Sequence, residues 1–258
     1  MNRINRLFEE KKRRVLSLYF CAGYPTLEGT ADVIRALADG GVDMVEIGIP
    51  FSDPMADGPV IQDAATRALR NGMSLKKLFS QLDGIRREGV EIPLILMGYL
   101  NPILRFGLEE FCQRCQACGI DGAIIPDLPF QDYMETVKPI ADRYGLNVIM
   151  LITPETEEER VRLIDAHTDG FIYMVSSAST TGAQRRFDEN TLRYFERVNA
   201  MGLKHPRMIG FGVSNKQTLE AAWSNAAGAI IGSRFVKLLA ENPDPVQALN
   251  ALHGKLES

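Results

Sequence analysis

The chain has 258 residues, 24% of them charged and 45% hydrophobic, and a formal net charge of −4. That length suits one large α/β domain or two small ones, and the acidic balance supplies no global field to draw nucleic acid or an anionic membrane surface. No apolar run reaches the ~18 residues of a membrane span, the polar, basic stretch 1–14 is not a secretory leader, and four cysteines in a chain this long are no disulfide framework, so a cytoplasmic protein is expected.

In chain order, residues 2–14 predict a short amphipathic helix with Ile4, Leu7 and Phe8 on one side. Residues 15–22 form an apolar run rich in strand formers, closed by Gly23-Tyr24-Pro25, and 26–39 a helix ending at Gly40-Gly41. Next come a strand over 42–49, helices over 60–70 and 74–88 split at Asn71-Gly72, and a strand over 92–100 that Asn101-Pro102 ends. A helix at 108–118 leads into a buried strand at 122–126 and the turn Asp127-Leu128-Pro129. The alternation continues with helices at 131–144, 156–166, 188–201 and 216–224, between strands at 147–153, 170–176, 207–211 and 228–231. Helices at 234–240 and 245–256 close the chain.

About eight strand–helix units with short, nearly all-apolar strands require a parallel sheet covered by helices. The expected fold is α/β, a (β/α)8 TIM barrel with an extra N-terminal helix, as a single domain over 1–258. A doubly wound open sheet is the runner-up, but Cys21-Ala22-Gly23-Tyr24-Pro25 is not the glycine-rich turn it would carry after its first strand.

In a barrel, chemistry sits at the C-terminal ends of the strands. Period-2 alternation puts Met44, Glu46 and Gly48 on one face and the β-branched Val45, Ile47 and Ile49 on the other, which suits helix packing. The Glu46 face then points into the interior, and the loop that follows, stiffened by Pro50, Pro54 and Pro59, carries Asp53 and Asp57. An unpaired buried carboxylate costs several kcal/mol, roughly, so Glu46 and Asp57 are candidate catalytic acids. Gly182, Gly210, Gly212, Gly232 and Ser233 let backbone N–H groups approach an anion, and Ser233 opens an apolar helix; a phosphorylated substrate is expected.

No lysine and no histidine lies at a strand end, so neither a Schiff base nor an imidazole metal site has an obvious candidate. What remains is carboxylate acid–base chemistry with Tyr173 as a hydroxyl partner, on a substrate that supplies its own electron sink. Cys112, Cys115 and Cys118 read as small hydrophobes on a helix rather than metal ligands.

These residues carry a resemblance. The stretch Glu46-Ile47-Gly48-Ile49-Pro50-Phe51-Ser52-Asp53-Pro54-Met55-Ala56-Asp57-Gly58-Pro59 is followed by Tyr99-Leu100-Asn101-Pro102, Asp127-Leu128-Pro129, Thr181-Gly182, Gly210-Phe211-Gly212-Val213-Ser214 and Gly232-Ser233. In order and spacing, the sequence resembles the tryptophan synthase alpha chain family over its whole length. The resemblance implies retro-aldol cleavage of indole-3-glycerol phosphate to indole and glyceraldehyde 3-phosphate, with Glu46 as general acid–base group, Asp57 facing the indole N–H and Tyr173 beside the acid. It places Tyr19, Met97, Leu128, Ile152 and Phe211 around the indole, and Thr181, Gly182, Gly212, Gly232 and Ser233 at the substrate and its phosphate. It also implies a beta chain carrying pyridoxal phosphate, in an α2β2 assembly, with Pro50, Asp53 and Pro129 facing that partner and no cofactor on this chain.

Residues 176–184 look like the family's lid. Ser177 stands there where arginine is common, Ser179 where glycine is frequent, Arg234 where alanine is usual, and Tyr19 where phenylalanine is more usual. A mainly regulatory subunit and a stand-alone indole-producing lyase are the alternatives on the same fold.

Overall fold

The computed structural model describes residues 1–176 and 186–257. Eight parallel strands close into a barrel in sequence order, β1 (Val15–Cys21), β2 (Met44–Gly48), β3 (Leu94–Met97), β4 (Gly122–Ile124), β5 (Asn147–Ile152), β6 (Ile172–Val175), β7 (Arg207–Gly210) and β8 (Gly228–Ile231), with β8 pairing back onto β1. Helix α1 (Arg3–Glu10) precedes the barrel, and Asn2 caps it by accepting from the Ile4 N–H. The strands are almost wholly buried because their outer faces lie under the helices and their inner faces fill the barrel.

The helices are α2 (Thr30–Asp39), α3 (Pro59–Arg70), α4 (Leu75–Leu82), α5 (Leu100–Phe106), α6 (Leu108–Cys118), α7 (Phe130–Asp132), α8 (Lys138–Arg143), α9 (Glu158–His167), α10 (Glu189–Ala200), α11 (Lys216–Asn225), α12 (Ser233–Glu241) and α13 (Pro245–Glu257). Helix α4 stops at Leu82, short of the expected 88, and α1 at Glu10, short of the expected 14; two further departures involve proline. Asn101-Pro102 does not end β3 but sits in the first turn of α5, where proline's missing N–H is not needed. The segment 131–144 is not one regular helix: Tyr133–Val137 is a π-turn between α7 and α8, with the Lys138 N–H bonded to the Tyr133 carbonyl. Pro139 follows directly, and a proline ring cannot sit against the carbonyl of an uninterrupted α-helical turn before it.

Cys112, Cys115 and Cys118 are buried free thiols on the inner face of α6. Trp223 packs on α11, donating from Nε1 to the Val15 carbonyl at 3.3 Å with the Arg14 guanidinium 4.9 Å from its ring centre. No helix among the described residues is long and apolar enough to cross a membrane.

Candidate active site

Strand parity decides the site. In the β1–β2 register Tyr19 lies opposite Glu46, Ser17 opposite Met44 and Cys21 opposite Gly48. Glu46 is fully buried, and its Oε1 accepts from the Ser17 hydroxyl at 3.1 Å. Its carboxyl group therefore lies inside the barrel, as the alternation predicts, and leans one inward layer away from the mouth. Oε2 has no hydrogen-bond partner among the described residues. Burial pushes Glu46 up from an ordinary 4.5 to about 8, against a smaller lowering by the Ser17 hydrogen bond. At neutral pH it is a protonated acid with an uncommitted oxygen.

Asp57 comes in from the loop after β2. It is half-buried, and its Oδ2 accepts from the Tyr99 hydroxyl at 2.8 Å. The same phenol oxygen accepts from the Ala56 N–H at 3.0 Å, so Tyr99 holds both the acid's side chain and the backbone just before it. Burial raises Asp57 to about 6, opposed by the Tyr99 hydrogen bond. Asp57 is thus ionised at neutral pH while Glu46 is not, and two carboxyl groups with separated protonation states can take opposite roles.

Two tyrosines complete the centre. A side chain on Gly48 would collide with the Tyr19 hydroxyl, and one on Gly210 with the Tyr173 hydroxyl. Each phenol leans one layer toward the mouth over a glycine of the next strand, since Tyr173 lies opposite Met208 and Val175 opposite Gly210. Both are deeply buried, and burial holds both phenols above their ordinary range, with the charges of Glu46 and Asp57 adding to it. Both acids therefore lie close enough to the two rings for their charge, once ionised, to disfavour a phenolate.

Phe211 meets Tyr173 edge-on, with ring centres 6.1 Å apart. Its φ of 63° is left-handed and Gly212 follows at 73°. A non-glycine residue in that region costs about 1–3 kcal/mol, and the Phe211 carbonyl is held by the Ser176 hydroxyl at 2.5 Å.

The helices after β7 and β8 begin differently. Asn215 and Thr218 form a capping box at α11, whereas α12 starts from Gly232 with no side-chain cap. Among the described residues no side chain caps the first turn of α12, whose N-terminus carries partial positive charge. Gly232 packs against the ring of Tyr19, since a Cβ there would lie 3.6 Å from it.

Met97 ends β3 and Ile152 ends β5, while Leu128 follows β4; all three are buried. Asp53 and Pro129 are exposed and Pro50 is buried. Thr181 and Gly182, and with them Ser177, Ser179 and the expected lid beyond Ser176, lie outside the described residues. Sequence reasoning missed Ser17 and the part played by Tyr99. A signal for Ser17 was present: it is a hydroxyl in an apolar strand at the parity of Tyr19.

The family model described as "Tryptophan synthase alpha chain" matches residues 6–257. The chain belongs to the tryptophan synthase alpha chain family. It is 66% identical over 252 residues to the tryptophan synthase alpha chain of Bacteroides fragilis, covering 98% of this chain and 95% of that one. It is 65% identical to that of Bacteroides thetaiotaomicron over the full length of both. Among solved structures, tryptophan synthase subunit alpha from Legionella pneumophila superposes with a TM-score of 0.89 at 35% identity, over 99% of this chain and 97% of that one. The alpha chain of tryptophan synthase is the carbon–carbon lyase that cleaves indole-3-glycerol phosphate in tryptophan biosynthesis, and it works with a beta-chain partner.

Proposed function

We propose that Glu46, Asp57 and Tyr173 carry the retro-aldol step, and the observation that supports this most is a fully buried Glu46 carboxyl with one oxygen unpartnered, beside Tyr173 and an Asp57 that the Tyr99 hydroxyl holds. The Glu46 carboxyl gives its proton to indole C3, so the C3–H bond forms from the ring's enamine pair and the positive charge falls on the ring nitrogen. Asp57, ionised, stabilises that charge through the indole N–H. Glu46, now a carboxylate, takes the proton of the side-chain hydroxyl on the carbon bonded to C3. That oxygen becomes the carbonyl of glyceraldehyde 3-phosphate, and the pair of the breaking C–C bond returns to the ring, giving neutral indole. The protonated ring is the electron sink, so neither lysine nor metal is required. A charge partner in a closed site is worth roughly a hundredfold in rate or more.

Tyr19, Met97, Leu128, Ile152 and Phe211 wall the indole. Gly212, Gly232, Ser233 and the N-terminus of α12, which has no side-chain cap, suit the phosphate; the resemblance assigns Thr181 and Gly182 to the substrate as well, and both lie outside the described residues. The chain acts as one cytoplasmic barrel domain, with no cofactor of its own. Its beta-chain partner carries pyridoxal phosphate in an α2β2 assembly, on the loops that hold Pro50, Asp53 and Pro129. Met55, 80% exposed, and Leu104, 53% exposed, offer apolar area on the β2–α3 loop and on α5. The test is a product assay with indole-3-glycerol phosphate, on the chain alone and with added beta chain. Release of indole and glyceraldehyde 3-phosphate, accelerated by the partner, is expected. Turnover that the partner leaves unchanged would instead mark a stand-alone lyase.

A further inference from the structure

We propose that Ser17 is the positioning residue of the proton transfer: by holding Oε1 of Glu46 it leaves Oε2 as the one oxygen that gives the proton to the substrate and takes it back. The inference rests on Glu46 being the acid.

Ser17 is fully buried in β1, between neighbours Leu16 and Leu18. Packing alone does not call for a hydroxyl there, and burying one is unfavourable unless it is bonded. Its bond goes to Glu46 Oε1. Among the described residues no cation and no second hydrogen-bond donor holds Glu46, and the titratable groups that face it are the phenols of Tyr19 and Tyr173. A neutral carboxylic acid has one carbonyl oxygen, which accepts, and one hydroxyl oxygen, which donates. The Ser17 hydroxyl donates to Oε1, which makes Oε1 the carbonyl oxygen and puts the proton on Oε2, the oxygen without a protein partner.

The proton therefore sits on the oxygen left for substrate. As the Oε2–H bond breaks and the C3–H bond forms, the charge spreads over the carboxylate and the Ser17 bond becomes charge-assisted and stronger. When the substrate hydroxyl returns a proton, Oε2 receives it, because a protonated Oε1 would be the poorer acceptor for the Ser17 hydroxyl. One serine thus fixes both the direction of donation and the oxygen that cycles.

The test uses the full chain with Ser17→Ala and Ser17→Thr. Cleavage of indole-3-glycerol phosphate by Ser17→Ala should show kcat lowered about tenfold to a hundredfold with KM little changed, and Ser17→Thr, which keeps a hydroxyl, should restore most of it. The alkaline limb of kcat/KM should move to higher pH in Ser17→Ala, by roughly one unit, because the hydrogen bond that favours the ionised acid is gone. The infrared C=O band of protonated Glu46, assigned by its absence in Glu46→Gln, should shift to higher frequency. Should Ser17→Ala not fold, Ser17→Cys keeps the shape with a weak donor and carries the same measurements. An unmoved limb and an unmoved band would overturn the role of Ser17 even if stability fell. Activity retained by Glu46→Gln would instead remove the acid on which the inference rests, so the two failures are told apart.

Discussion

Asp121 and Glu46 are both buried carboxylates of the same barrel, Asp121 just before β4 at the N-terminal end and Glu46 within β2, facing the interior below the mouth. Asp121 is fully engaged. Oδ2 accepts from Arg86 Nη2 at 2.6 Å and the Leu94 N–H at 3.0 Å, and Oδ1 from Arg3 Nη1 at 3.3 Å and the Arg3 N–H at 3.4 Å. It ties α1, β3 and the turn after α4 to the start of β4. Glu46 has one serine and an orphan oxygen. Desolvation is paid at both positions, but at one end two guanidinium groups offset it and at the other nothing charged does. A carboxylate satisfied on every side stabilises a fold and has no oxygen free for a substrate. One left short keeps its proton into neutral pH, which is the property a general acid needs.

The sharpest way to break this contrast is Glu46→Gln. Cleavage should be lost, by roughly a thousandfold or more, while substrate still binds, as equilibrium dialysis would show. Stability should respond in the opposite sense. The neutral form of Glu46 contributes stability that is complete below its ordinary 4.5 and is lost as pH rises through about 8. Glu46→Gln should therefore melt above wild type at pH 9 and level with it near pH 4.5; equal melting at both would mean the acid is not held neutral by burial.

Asp121→Ala should do the reverse. It strands Arg86 and should cost about 3–5 kcal/mol in denaturant unfolding, with the kcat/KM of the folded fraction nearly unchanged. A large loss of activity at full stability would erase the distinction between the two ends. Asp57→Asn should slow cleavage about a hundredfold without unfolding the chain, read as kcat at saturating substrate. The smallest effect is a matter of pH. In wild type, kcat/KM should rise through about 6 as Asp57 ionises and fall through about 8 as Glu46 does. Tyr99→Phe removes the hydrogen bond that favours ionised Asp57, so only the rising limb should move to higher pH, with a loss of severalfold at neutral pH.

Much of this was legible along the chain. The placement of Glu46 against Val45 and Ile47 followed from alternation, and Gly48 and Gly210 were marked by their position at strand ends. What the two glycines are for was not legible: each admits a tyrosine from the preceding strand, and that depends on register between strands. Pro102 reads in the sequence as the end of a strand and sits inside a first helical turn, while the helix expected over 131–144 runs straight through Pro139, which follows a π-turn; a proline states what it forbids locally and not how the neighbouring backbone adapts.

The amino-acid sequence by itself determined the barrel, its order of strands, the inward acid and the loop that brings the second one, since all of these follow from periodicity and turn chemistry within short windows. Only the tertiary structure decided which of the acids keeps its proton. The Ser17 hydroxyl reaches Glu46 across 29 residues of chain and the Tyr99 hydroxyl reaches Asp57 across 42. A carboxyl group's proton affinity is fixed by the water it loses and the few donors around it, and in a closed barrel those neighbours arrive from other strands.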